Sequence, residues 1–373
     1  MFTAQDHLFM TQALRLAEQG LYTATPNPRV GCVIVSHGVV IGTGAHLKAG
    51  EPHAEVLALY QAAQDFPDKI MGADVYVTLE PCSHFGRTPP CADALVEAGV
   101  GRVVAAMQDP NPQVAGSGLA RLAQHGIAVA YGLMETQARE LNAGFISRMT
   151  RNRPFVRSKI AASLDGRTAL ANGQSKWITG DAARQDVHHW RARACAILTG
   201  SGTVLADDPQ MNVREVETSR QPLRIVVDSR LVTPLTAKIV KGGNTLIAYS
   251  IDSEGKASAL RDAGIELLQL DTQGDSGKID LAALLPALAQ RGINELMVEA
   301  GQGLNGALLQ QSLVDEFLFY YAPVLFGGEA RGMFAMPALV DMQQRTQLEI
   351  LDTRQTGRDI RLRARPYQSG IQD

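Results

Sequence analysis

Pro52-His53-Ala54-Glu55 and, after one intervening strand signal, Pro81-Cys82-Ser83-His84-Phe85-Gly86-Arg87-Thr88-Pro89-Pro90-Cys91 decide the reading of the first part of the chain. His53, Cys82 and Cys91 supply one imidazole and two thiols, a donor set that Zn²⁺ prefers. Three protein ligands are what a catalytic zinc keeps while its fourth position stays open. Glu55 is then left over to move protons. The segment from His53 to Gln61 reads as a helix start, Asp74 to Glu80 as a β-rich run stopped by Pro81, and Cys91 to Gly99 as a short helix closed by glycine. Residues two apart on a helix do not share a side face, so His53 and Glu55 can share a site only at the helix's amino end. Cys91 also falls at a helix start, where the dipole favours a thiolate. Two plainer readings are buried apolar thiols and a closed structural zinc with His84 as its fourth ligand. The joint H-x-E and P-C…C pattern, set at strand ends and helix starts, favours the catalytic site. It matches the signature of zinc-dependent base deaminases except that eight residues, not two, separate the cysteines.

Bulk properties narrow the classes. At 373 residues the chain is long enough for two domains. A formal net charge of −3, with no long basic block, lacks the electrostatic footprint of a nucleic-acid binder. There are four cysteines, and the two outside the motif, Cys32 and Cys195, read as core thiols. That usage fits a reducing compartment. The first residues show no signal-peptide pattern and no apolar run reaches membrane-spanning length, so a cytoplasmic protein without membrane contact is expected.

Strand and helix signals alternate along the chain. Helical spacing covers residues 4–19, Val30–Val35 and Val39–Gly44 read as strands, and strand–helix–strand signals continue to Tyr131. Arg148, Arg151, Arg153 and Arg157 crowd around a proline and read as a solvated basic linker, giving expected domains of 1–147 and 148–368. Beyond it the alternation restarts: strands at Phe155–Leu164, Ala196–Thr199, Leu223–Val227, Thr245–Tyr249, Ile265–Leu270, Glu295–Glu299 and Glu316–Leu325, and helices at Asp181–Arg193, Leu281–Gln290 and Leu304–Gln311. Asp181 reads as an N-cap. Both domains are therefore α/β, the second with a mostly parallel sheet. Gly301-Gln302-Gly303-Leu304-Asn305-Gly306 fits G-x-G-x-x-G between a strand and a helix, the context in which glycines let a backbone approach a pyrophosphate. It lies too late in its domain for a dinucleotide unit of Rossmann type. Ser175–Thr179, the polar loop Thr203–Pro209 and Asp228-Ser229-Arg230 follow strands, at the ends where sheets of this kind bind ligands. The aromatic strand Phe317–Ala322 is apolar beyond one-face needs. It reads either as a dimer-pairing strand or as a central buried one.

Several motifs carry one joint resemblance. They are Thr25-Pro-Asn-Pro28 with Val30-Gly31-Cys32, Gly50-Glu-Pro-His-Ala-Glu55, Thr78-Leu-Glu-Pro-Cys82 with Gly86-Arg-Thr-Pro-Pro-Cys91, Ala161-Ala-Ser-Leu-Asp-Gly-Arg-Thr168, Ser175-Lys-Trp-Ile-Thr179, Ala206-Asp-Asp-Pro209 and Val298-Glu-Ala-Gly301. Together they resemble the bifunctional deaminase/reductase family of riboflavin biosynthesis, in which the wide cysteine gap is the usual form. The resemblance implies a cytidine-deaminase-like α/β/α domain followed by a dihydrofolate-reductase-like α/β domain. It implies zinc-dependent hydrolytic deamination of a diamino-phosphoribosylamino-pyrimidine, then NADPH-dependent reduction of its ribosyl group to ribityl. His53, Cys82 and Cys91 would hold zinc and Glu55 would transfer protons. Asn27 and His46 would meet the pyrimidine and ribose, and Arg87 or Lys48 the phosphate. The cofactor contacts implied are Ala161, Trp177, Thr203, Asp207, Ser229 and the loop Gly301, Gln302, Gly303, Leu304, Asn305, Gly306 and Ala307. The reductase substrate contacts are Ser175, Arg191, Met211, Arg214 and Glu299, with Arg191 and Arg214 expected to grip the phosphate. A homodimer is expected. The competing reading is a zinc deaminase of another base or nucleoside with a non-reducing accessory domain.

Overall fold

The protein's structure, a computed structural model, describes residues 1–83, 89–274 and 277–367. It divides into two compact units, Met1–Asn152 and Arg153–Asp373. The division falls after the expected boundary at 147/148. Residues 147 and 148 lie inside a continuous helix, Ala143–Arg151, which ends where Asn152 takes a left-handed conformation (φ 50°).

In the first unit α1 (Ala4–Glu18) leads into β1 (Gly31–Ser36), β2 (Val39–Ala45), α2 (Ala54–Asp65), β3 (Asp74–Val77), α3 (Cys91–Glu97), β4 (Arg102–Ala105), α4 (Ser117–Gln124) and β5 (Ala128–Tyr131), then α5 (Glu135–Leu141) and α6 (Ala143–Arg151). The sheet order is β2-β1-β3-β4-β5. β1 runs antiparallel to β2 and β3, while β3, β4 and β5 are parallel. Thr3 and Asp6 close a capping box at the start of α1. Asp6 also accepts from Tyr76 and Arg102, tying that helix to β3 and β4. Gly44 decides how α2 sits. A Cβ there would lie 2.0 Å from the Ala54 carbonyl, so only glycine lets the helix's first turn press against β2. That turn carries His53 and Glu55.

The second unit comprises β6 (Phe155–Ser163), β7 (Arg167–Ala169), α7 (Asp181–Arg193), β8 (Ala196–Gly200), α8 (Ser201–Asp207), β9 (Leu223–Val227), α9 (Lys238–Lys241), β10 (Thr245–Tyr249), α10 (Lys256–Asp262), β11 (Glu266–Gln269), α11 (Leu281–Gln290), β12 (Glu295–Val298), α12 (Gln302–Gln310), β13 (Glu316–Ala322), β14 (Arg331–Gly332), β15 (Leu348–Thr356) and β16 (Asp359–Pro366). Its nine-stranded sheet has the order β11-β10-β9-β8-β12-β6-β13-β16-β15. The stretch from β11 to β13 is parallel, and β16 and β15 close the sheet as an antiparallel hairpin. Separate apolar clusters cover the two faces: Ala196 and Leu198 of β8 join one, Ile197 the other. Burial on both sides is why these strands read as near-continuous apolar runs.

One open alternative is decided here and three expectations change. β13 lies between β6 and β16, so both its edges are occupied and it cannot pair across a dimer. Gly180, not Asp181, is the N-cap of α7; Asp181 is its first residue and pairs with Arg184. Residues 203–207, expected in a loop, belong to the short helix α8. The arginines near the boundary are not all solvated. Arg157 is buried between Glu316 (2.8 Å) and Glu295 (2.9 Å), and Arg153 binds Asp315 (2.6 Å). Strand register sets this up by placing Glu316 opposite Arg157 and Glu295 beside Phe155. The cluster sits at the amino ends of β12 and β13, away from the ligand-binding ends of the strands.

Candidate active site

His53 is the N-cap of α2, and Glu55 lies in its first turn. The His53 Nδ1 is 3.3 Å from Cys91 Sγ and 3.7 Å from Cys82 Sγ. The ligand atoms of the three residues all fall within 4.8 Å of one another. Cys82 follows the carboxyl end of β3 across Pro81, and Cys91 opens α3. A nitrogen and two sulfurs at this spacing suit Zn²⁺. The Cys91 thiol, donating to Cys82 Sγ, holds the Cys82 thiol well below its ordinary value, and the same bond pushes Cys91's own up. The hydrogen bond to Cys82 likewise raises His53. Such a set shares a proton that metal binding displaces. Glu55 is buried against it, and burial pushes its carboxyl up to about 7. The buried Cys32 thiol lies close enough to feel the Glu55 charge.

His46 and Asn27 come together beside this cluster. The His46 ring stands edge-on to His53 at 5.2 Å. Its Nδ1 lies 3.1 Å from the Pro52 carbonyl, which can only accept, so Nδ1 carries the proton and Nε2 accepts from Asn27 Nδ2 at 3.0 Å. Burial lowers the His46 pKa, which fits this neutral tautomer. Lys48 is exposed. Arg87 and His84 lie outside the described residues.

In the second unit a groove of about 1180 Å³ opens where β6, β8, β9 and β12 end. That exceeds what one small ligand requires and leaves room for cofactor and substrate together. Ala161, Trp177, Thr203, Asp207, Ser229, Gly301, Gln302, Gly303, Leu304 and Ala307 line it, as do Ser175, Arg191, Met211, Arg214 and Glu299. Asn305 and Gly306 do not. Asn305 is buried, donating to the Ala300 carbonyl and accepting from Ser158. At Gly306 a Cβ would lie 2.2 Å from the Ala335 carbonyl. This glycine therefore serves backbone packing against α12 rather than ligand approach.

Arg191 also departs from expectation. Its Nε and Nη2 bind Glu299 at 2.5 and 3.0 Å, and Nη1 donates to the Asn212 carbonyl. This guanidinium is committed to holding Glu299. Arg214 is half exposed, with Nη1 3.4 Å from Asn212 Oδ1. Lys159 also lies in the groove, with Nζ 3.6 Å from Glu299. Burial lowers its pKa. Burial would raise Glu299, but Arg191 and Lys159 outweigh it and hold its carboxyl at about 2. A lysine in a strand pattern carries no signal of its own; its spacing of two from Ala161, on the same face of β6, was the available clue.

A deaminase-type metal centre and a two-ligand groove at the carboxyl ends of a parallel sheet define a chain with two catalytic units. Residues 154–362 match the RibD C-terminal domain, and residues 3–107 match the cytidine and deoxycytidylate deaminase zinc-binding region. The riboflavin biosynthesis protein RibD of Escherichia coli is 48% identical over 369 residues, covering 95% of this chain and 98% of that protein. That of Haemophilus influenzae is 45% identical, covering 98% of each. Among solved structures, Acinetobacter baumannii RibD matches with a TM-score of 0.89 at 47% identity, over 98% of this chain and 99% of that one. A diaminohydroxyphosphoribosylaminopyrimidine deaminase/5-amino-6-(5-phosphoribosylamino)uracil reductase from Thermotoga maritima matches at 0.85 and 33% identity, over 97% and 99%. The chain belongs to the RibD family, the bifunctional deaminase–reductases of riboflavin biosynthesis. Its first unit is a zinc deaminase and its second an NADPH-dependent reductase.

Proposed function

We infer that the chain performs two consecutive steps on one phosphoribosyl pyrimidine. The first unit hydrolyses an amino group of 2,5-diamino-6-(5-phosphoribosylamino)pyrimidin-4(3H)-one and releases ammonia. The second reduces the ribosyl side chain at C1′ to ribityl phosphate. The observation that carries this reading is the meeting of His53, Cys82 and Cys91 beside the buried Glu55. His53, Cys82 and Cys91 hold the zinc, which supplies the Lewis acidity that makes water a nucleophile near neutral pH. Glu55 takes a proton from the attacking water and returns protons to the ring nitrogen and the departing amine. A buried carboxyl beside the metal ligands is placed to work in both directions. Asn27, with its amide nitrogen committed to His46, presents Oδ1 to donors on the pyrimidine.

In the second unit NADPH supplies the hydride. Ala161, Trp177, Thr203, Asp207, Ser229, Gly301–Leu304 and Ala307 line its side of the groove; Ser175, Met211, Arg214 and Glu299 line the substrate's side. Lys159, its pKa lowered by burial and its ammonium held by Glu299, is the group placed to donate a proton as the ribose ring opens. Arg214 has donors to spare for the phosphate. Arg214→Ala should raise KM for the reductase step by about 10–100-fold, the loss of one or two charge-assisted hydrogen bonds, without slowing ammonia release. Separate steady-state assays of the two steps would show this.

The test of the whole reading is a two-step assay on zinc-replete protein supplied with the diamino-pyrimidine ribosyl phosphate. Ammonia should appear before NADPH is consumed. Ammonia without NADPH loss would leave a deaminase with a non-reducing second unit, and neither signal would overturn the reading. A cytoplasmic setting fits four cysteines that form no disulfide. A homodimer fits the free edge of β15, where Leu348 and Ile350 are exposed. Sedimentation equilibrium should therefore return twice the chain mass.

A further inference from the structure

Glu80 is a buried carboxylate, 4% exposed, three residues past β3 in the segment that leads into Pro81 and Cys82. It has no cationic partner among the described residues. Instead it accepts four backbone N–H bonds: Oε2 from Asp109 (3.0 Å) and Gly116 (2.9 Å), Oε1 from Gly118 (2.8 Å) and Leu119 (3.2 Å). Gly116 is the N-cap of α4 and has no side chain with which to cap it. Glu80 supplies that cap from a distance, satisfying orphan donors of the first turn and answering the helix dipole. The same carboxylate grips both ends of the loop from Asp109 to Gly116.

This loop follows β4, and the cysteine-bearing segment follows β3. The two strands are parallel neighbours, so both loops leave the same carboxyl edge of the sheet, where such folds bind ligands. They also touch. Ser83 and Ser117 share a hydrogen bond of 2.6 Å, and a Cβ on Gly118 would lie 1.9 Å from the Pro81 carbonyl. Gln108, Asp109 and Asn111 are half-buried there.

We propose that Glu80 is a positioning residue for deamination: its carboxylate fastens the Gln108–Gly116 loop to the cysteine-bearing segment, so that the loop forms a wall of the substrate pocket. The proposal rests on the deaminase reading above. In Glu80→Gln, the amide places an NH₂ group against backbone N–H donors and loses two of the four bonds. KM for ammonia release should rise about tenfold or more, with kcat within about threefold, zinc content unchanged and the reductase step unaffected. Loss of zinc together with kcat would overturn the proposal, because the carboxylate would then serve Cys82; so would an unchanged KM. Where Glu80→Gln fails to fold, Gly118→Ala displaces the same loop with Glu80 intact. The same rise in KM is expected, and a normal KM overturns the proposal. Wild-type protein that releases no ammonia would instead refute the deaminase reading itself.

Discussion

Ammonia release by Glu55→Gln should fall by about 10²–10⁴-fold, the range attributed to a positioned general acid–base. Zinc should remain bound, because the metal's donors are His53, Cys82 and Cys91, and the amide is nearly isosteric with the carboxylate it replaces. NADPH-dependent reduction of the deaminated intermediate, supplied directly, should be unchanged. Loss of zinc would make Glu55 part of the ligand set rather than the proton carrier. Stability gives an independent readout in metal-free protein. The folded pKa of Glu55, about 7, lies above its ordinary 4.5. The folded state therefore holds the proton more tightly, and wild-type stability falls as pH rises from about 4.5 to about 7. The variant lacks this penalty. Above pH 7 it should be more stable than wild type by about 3 kcal/mol, read from denaturant midpoints, with the difference vanishing below about pH 4.5. This side chain is retained for chemistry at a cost in stability.

Glu299→Gln should damage the reductase alone, and severely. Glu299 receives a bidentate Arg191 and sits 3.6 Å from Lys159, all at the wall of the groove. Replacing the carboxylate with an amide leaves two cations facing each other without their anion. Breaking a buried pair in this way costs about 3–5 kcal/mol. Part of the loss should appear as a lower melting temperature of the second unit. Part should appear as a fall of about 10² or more in kcat/KM for NADPH oxidation, since Lys159 would no longer be held in place. Deamination should persist. The sign of the pH effect differs from that of Glu55. The Glu299 carboxyl is held at about 2, below its ordinary 4.5, so its contribution is present above pH 4.5 and disappears as pH falls through about 2. A variant with normal reductase kinetics would refute the role given to the Lys159–Glu299–Arg191 cluster.

The metal site was legible because its chemistry is carried by residue type and its geometry by local rules. An imidazole at an N-cap and a carboxylate in the next turn must share the helix's amino end. The parallel core of the second unit was equally legible, since strands buried on both faces announce themselves as apolar runs. Where burial is achieved by charge, the same reading fails. β16 carries Arg361, Arg363 and Arg365, which alternate along a strand and pair with Asp186, Asp352 and Glu316. To a hydropathy pattern it is a solvated tail. Arg157 was misread for the same reason. Glu80, a carboxylate before a proline, looks like an ordinary turn; its partners are backbone amides 29 to 39 residues away, which no side-chain pattern records. Asn305 and Gly306 show the opposite error. A glycine motif counts residues, but it does not say which of them face a ligand and which face the packed side of α12.

The chain holds two tryptophans, and their surroundings could hardly differ more. Trp190 is ringed by the guanidiniums of Arg157, Arg193, Arg361 and Arg363, at 4.7 to 5.7 Å from its ring centre, and does not reach the groove. Trp177 is 70% exposed at the groove's wall, with Arg184 over its face at 4.7 Å. Filling the groove therefore changes the solvent and contacts around Trp177, while the arginine cage of Trp190 is left as it is. Reduced nicotinamide absorbs where indole emits and quenches both rings through space, so its arrival is read as a loss of total emission. Unfolding opens the cage of Trp190 to water and is read as a shift to longer wavelength, which tells the two events apart without an added label.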